Sequence, residues 1–143
     1  MKSMKSILLV EDNDGLRRPL GELLRRAGYH VQTAAEGGVA LSLYKQHPCD
    51  LVITDLIMPG REGMETIMEL RRLQPELRII AMSGGGSGPA SDYLRMAHLL
   101  GATEVLAKPF TAEQVLSTVA GVFAAPVGDP DPARGAPGPI PIY

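Results

Sequence analysis

Three carboxylates, one ammonium and one hydroxyl stand at the ends of short apolar runs in this chain. Glu11 and Asp12 follow SILLV, Asp55 follows DLVIT, Ser83 closes LRIIAMS, and Lys108 follows TEVLA and precedes Pro109. If those runs are strands of one parallel sheet, the five side chains meet on one rim, because ligands of such sheets bind outside the carboxyl ends of the strands. Clustered carboxylates repel one another, so one takes up a proton or a cation joins them. Hard oxygen donors with open positions suit Mg²⁺, which keeps several waters and accepts a phosphate oxygen. Lys108 adds a fixed positive charge and Ser83 a hydrogen-bond donor for an anion. The set describes a place for a phosphoryl group beside a carboxylate. Singly, each residue has a plainer reading: Asp55 as a strand-end cap, Glu11 and Asp12 as partners of a helix dipole, Ser83 as a turn serine, Lys108 as a solvated lysine.

The elements that must position these residues are legible as alternating patterns. SILLV (6–10), HVQTA (30–34), DLVIT (50–54), LRIIAMS (77–83) and TEVLA (103–107) read as strands, and the segments between them carry apolar residues at helical spacing. This alternation predicts an α/β fold, a doubly wound five-stranded parallel sheet with five helices. Leu51, Val52 and Ile53 are consecutive and apolar, which predicts a strand buried on both faces at the middle of the sheet, with Asp55 at its end.

In the first helix Leu16, Leu20, Leu23, Leu24 and Ala27 share a face, Asp14 is the expected cap, Gly28 the expected stop, and Pro19 should cost a hydrogen bond or bend the helix. In the second, Val39, Ala40, Leu43 and Tyr44 share a face. GMETIMELRRLQP supplies a third helix and SDYLRMAHLLGA a fourth. The last helix begins after Phe110, with Thr111 and Gln114 spaced as a capping box and Val115, Val119 and Val122 on its buried side. The seven methionines are expected to fill gaps in the core.

With 143 residues the chain has room for one domain: a lead at 1–5, a folded unit at 6–124, and a tail at 125–143, rich in proline and glycine and without apolar periodicity, that is expected to be disordered. Formal charge is −2 and no block of basic residues stands out, which argues against direct nucleic-acid binding. Cys49 is the single cysteine and excludes an internal disulfide, and no apolar run approaches membrane-spanning length, so a cytoplasmic protein is expected. His30, His47 and His98 form no ligand-spaced cluster.

In their order and intervals, LLVEDND, DLIMPGREGMETI, AMSG and AKPF resemble the receiver domain of two-component response regulators over about residues 5 to 124. The resemblance implies strand order 2-1-3-4-5. It implies that Asp55 accepts a phosphoryl group from a phosphohistidine on a histidine kinase or histidine phosphotransfer protein. It further implies that Asp12, Asp55 and the backbone carbonyl of Ile57 hold Mg²⁺, with Glu11 acting through a metal-bound water. Lys108 would pair with the phosphoryl oxygens or Asp55, Ser83 would bond the phosphoryl group, and a cis bond is expected before Pro109. The reaction would be a switch's own phosphorylation and slow dephosphorylation, changing its contacts with a downstream protein, rather than turnover of a substrate.

Two positions depart from the family's pattern. Val105 stands where receivers usually carry an aromatic ring or histidine, so a signal should travel through Ser83, the glycine-rich loop and the fourth helix. Ile57 cannot hydrogen-bond an attacking water, which predicts a long-lived acyl phosphate. Two other classes compete: a receiver-fold binding module independent of phosphorylation, which Val105 makes conceivable, and a phosphate-ester hydrolase, which Leu56, Ile57 and Met58 disfavour because none can act as a general acid.

Overall fold

The computed structural model describes residues 4–56, 62–83, 99 and 101–125. Five strands, β1 (Ser6–Val10), β2 (His30–Ala34), β3 (Leu51–Asp55), β4 (Arg78–Ser83) and β5 (Glu104–Ala107), form one sheet in the order β2-β1-β3-β4-β5. Every neighbouring pair is parallel. Four helices are described: α1 (Asp14–Arg26), α2 (Gly37–Gln46), α3 (Glu62–Leu73) and α4 (Ala112–Ala124). Residues 91–98 and 100 of the helix expected at 91–102, the glycine-rich loop beyond Ser83, Ile57 and the tail from 126 onward lie outside the described residues.

The side chains of a strand alternate between its two faces, and that alternation builds two cores. Leu8, Val10, Val52, Ile79, Ala81 and Val105 point to one face and pack with Ala40 and Tyr44 of α2 and Ile67 and Leu70 of α3. Ile7, Leu9, Leu51, Ile53, Ile80, Met82 and Leu106 point to the other and meet Leu20 and Leu24 of α1 and Val115, Val119 and Val122 of α4. Each fully buried Leu or Ile contributes on the order of 1.5–3 kcal/mol of transfer free energy. All five residues of β3 are buried, as its central position demands.

Helix ends follow local chemistry, with some differences from the expected positions. Asn13, not Asp14, caps α1: its side-chain oxygen accepts from the Gly15 amide at 2.7 Å, and Asp14 takes the first helical position, where a negative charge suits the dipole. α1 continues through exposed Pro19, and Gly28, at φ +103°, closes it. There the Gly28 amide donates to Arg25 O and the Tyr29 amide to Leu24 O, the paired bonds of a Schellman ending. Thr111 and Gln114 cap α4 reciprocally.

Val39 of α2 is exposed, and Leu41 and Leu43 flank the buried Ala40 and Tyr44 instead. Ala27 is likewise exposed as the C-cap of α1. Among the described methionines Met82 is buried and Met64 partly buried, as core filling requires, but Met4 and Met68 face solvent. No described helix is long and apolar enough to cross a membrane.

Candidate functional site

β1 and β3 are hydrogen-bonded neighbours, and both end at the same rim. The Glu11 amide extends the β1–β2 ladder by donating to Ala34 O at 3.0 Å, so the chain is still held as strand when it reaches the first carboxylate. Asp55 is the last residue of β3, opposite Met82 of β4, and the next amide, Leu56, donates to Met82 O at 2.9 Å. Lys108 leaves β5 with its amide on Ser83 O at 2.6 Å, and the Lys108–Pro109 peptide is cis.

These anchors bring Glu11, Asp12, Asp55 and Lys108 together at the rim, and Ser83 ends β4 beside Lys108, its carbonyl accepting from the Lys108 amide. Lys108 Nζ lies 3.0 Å from Glu11 Oε1 and 2.9 Å from Asp55 Oδ2. Glu11 and Asp55 are buried and Asp12 is exposed, yet one carboxylate oxygen from each lies within 4.8 Å of the others. The Ser83 hydroxyl is buried at the end of β4 and has no hydrogen-bond partner among the described residues. Ile57, whose carbonyl was expected to face the metal, lies outside them.

The charges are unbalanced by design of the chain: three carboxylates face one ammonium. Burial pushes the Glu11 carboxyl above its usual range; bonds from Lys108 and the Asn13 amide oppose this, and neighbouring Asp55 adds to it. For Lys108, burial alone would lower the pKa, but Asp55 and Glu11 together outweigh it and raise it, so the ammonium keeps its proton. The excess negative charge, on oxygens with an opening at exposed Asp12, fits a divalent cation with hard oxygen preference. Glu11 is the least available donor: Oε1 accepts from Lys108 and Oε2 from the Asn13 amide at 3.1 Å. It is better placed to meet a metal through water than directly.

Two contributors to the site were not singled out by residue type. Gly63, in the first turn of α3, rests against the backbone of Asp55 and Leu56; a Cβ there would stand 2.6 Å from Leu56 O and closer still to Asp55 O. Arg17 of α1 donates through Nη1 to Glu11 O at 2.8 Å and through Nη2 to Asp14. A glycine just inside a helix that follows the central strand was the available signal for the first. Nothing in the sequence distinguished Arg17 from Arg18 beside it.

The response regulator receiver domain model matches residues 7–120. The chain belongs to the response regulator receiver family. This receiver is 34% identical over 119 residues to the response regulator receiver protein CpdR of Brucella abortus, covering 81% of this chain and 94% of that protein. It is 31% identical over 115 residues to sporulation initiation phosphotransferase F of Bacillus subtilis, covering 80% and 90%. Among solved structures it superposes on the chemotaxis protein CheY4 of Vibrio cholerae with a TM-score of 0.76 at 30% identity, covering 84% of this chain and 99% of that one. Val105 is buried in the core beside Ala81, its partner across the β4–β5 ladder.

Proposed function

We propose that this receiver is a phosphoryl-accepting switch in which Asp55 is the acceptor. The observation that carries the reading is the Lys108 ammonium bridging Asp55 and Glu11, with Asp12 close enough to share a cation with both. An Asp55 carboxylate oxygen attacks the phosphorus of a phosphohistidine; the new P–O bond forms as the P–N bond breaks, and the imidazole leaves with the bonding pair. Such a transfer needs alignment and neutralisation of the phosphoryl oxygens more than it needs covalent help. Lys108 supplies one fixed charge. Asp12 and Asp55 would hold Mg²⁺, with Glu11 reaching it through water, and the ion when bound neutralises the remaining phosphoryl charge.

The donor is a histidine kinase or a histidine phosphotransfer protein, and the readout is a changed contact with a downstream protein. The buried Ser83 hydroxyl supports a role in that readout, since an arriving phosphoryl oxygen would give it a partner. Buried Val105 cannot report by swinging a ring, so movement at Ser83 carries the change. The protein catalyses its own phosphorylation and dephosphorylation and turns over no separate substrate.

Incubation with acetyl phosphate tests the reading by intact-protein mass. One phosphoryl adduct that requires Mg²⁺ and is lost in Asp55→Asn is expected. An adduct that survives in Asp55→Asn, or none under conditions that label another receiver, would favour a binding module that works without phosphorylation.

A further inference from the structure

Asp12 is exposed, so its reach toward Asp55 depends on the backbone on either side of it. Following it, Asn13 is tied at both ends, its amide to Glu11 Oε2 and its side chain to the Gly15 amide. Preceding it, Arg17 donates to the Glu11 carbonyl at 2.8 Å. A peptide unit is planar, so fixing the oxygen of residue 11 also fixes the plane that contains the Cα of residue 12. The guanidinium is itself held, because its other nitrogen pairs with Asp14 one turn back on the same helix. α1 thus reaches back over its own N-terminus and clamps the Glu11–Asp12 peptide.

From this we infer that Arg17 is a positioning residue for the metal site, acting through the backbone to hold Asp12 where its carboxylate can share a cation with Asp55. The inference rests on the proposed Mg²⁺-dependent function. Its sign separates it from simple electrostatics. Arg17 brings a positive charge toward an acidic cluster, and removing a nearby charge of that sign should tighten cation binding. Removing a clamp should loosen it, because outer partners that orient metal ligands are worth about 10–100-fold in affinity.

Mg²⁺ dissociation constants of the full chain, measured by calorimetry for wild type, Asp12→Asn, Arg17→Met and Arg17→Lys, test it. Binding in wild type that is lost in Asp12→Asn establishes the site itself. Arg17→Met, which keeps an apolar stem, should then weaken Mg²⁺ by about tenfold, at the lower end of the range because the clamp acts through a peptide. Arg17→Lys keeps the charge but not the two-pronged donor, and should also weaken binding several-fold. Unchanged or tighter binding in Arg17→Met overturns the inference while leaving the proposed function standing, and wild-type affinity in Arg17→Lys overturns it as well. Should Arg17→Met not fold, the lysine variant alone decides. Wild type that binds no Mg²⁺ would remove the function and the inference together.

Discussion

Gly63→Ala puts one methyl group where α3 meets the end of β3. The added Cβ would lie 2.6 Å from Leu56 O, whereas ordinary contact begins at 3.4 Å, a shortfall of about 0.8 Å, and the overlap with Asp55 O is worse. Both obstacles are backbone atoms of the central strand's exit, so neither can rotate away. Either the first turn of α3 lifts by about an ångström or the Asp55–Leu56 backbone shifts. Overpacking of this kind costs about 1–3 kcal/mol, and a rigid obstacle places the loss near 3 kcal/mol. The chemistry should suffer more than stability alone predicts, since a misplacement of about 1 Å in a reacting group can cost about 100-fold in rate. Urea denaturation gives the first quantity, and the rate of Mg²⁺-dependent phosphorylation by acetyl phosphate, measured where the variant is still folded, gives the second. Gly121→Ala provides the control: that glycine lies inside α4 with nothing within 4 Å of an added Cβ, so the same change should stabilise by about 1 kcal/mol. If Gly63→Ala matched wild type in both stability and rate, the seating of α3 on the Asp55–Leu56 backbone would be wrong.

Other perturbations follow from the charges. Lys108→Met should slow phosphorylation by about 100-fold or more, as loss of a preorganised charge at a developing anion does, yet tighten Mg²⁺ binding because the competing cation is gone; weaker Mg²⁺ binding in a folded variant would contradict this. Because burial raises the Glu11 carboxyl above 4.5, the folded state binds its proton more tightly than the unfolded state. The stability this contributes is full below 4.5 and is lost as pH rises through the raised value. Urea midpoints in chelator should therefore show a falling contribution across that window that Glu11→Gln removes, and indistinguishable profiles would refute it. Burial pushes the Cys49 thiol from 9.0 up to about 11, a thiolate fraction about 100-fold lower, so iodoacetamide should label it slowly in the native protein and readily in urea. Rapid native labelling would contradict its burial.

The rim residues were legible because each terminates an apolar run, and a parallel sheet with crossover helices leaves few places for run ends to go. Strand order was less accessible: periodicity marks β3 as doubly buried, but only the resemblance placed β2 and β5 at the edges. Errors gathered where neighbours decide. Asn13 and Asp14 are both good caps, and the choice turned on which residue began the helix. Val39 shares a helical stripe with Ala40 and Tyr44 yet faces solvent. Arg17 was invisible because it touches backbone and is a donor indistinguishable from its neighbour, while Gly63 acts by the absence of a side chain and left only its place just inside the helix after the central strand as a signal.

The most direct test of the central claim is the location of the covalent bond. Borohydride reduces an aspartyl phosphate to homoserine, so protein phosphorylated with acetyl phosphate and Mg²⁺, then reduced and fragmented, reports the acceptor by mass. Conversion at position 55 alone is predicted. Conversion at Glu11 or Asp12 instead, or a phosphoryl adduct that leaves position 55 unchanged, would contradict the account.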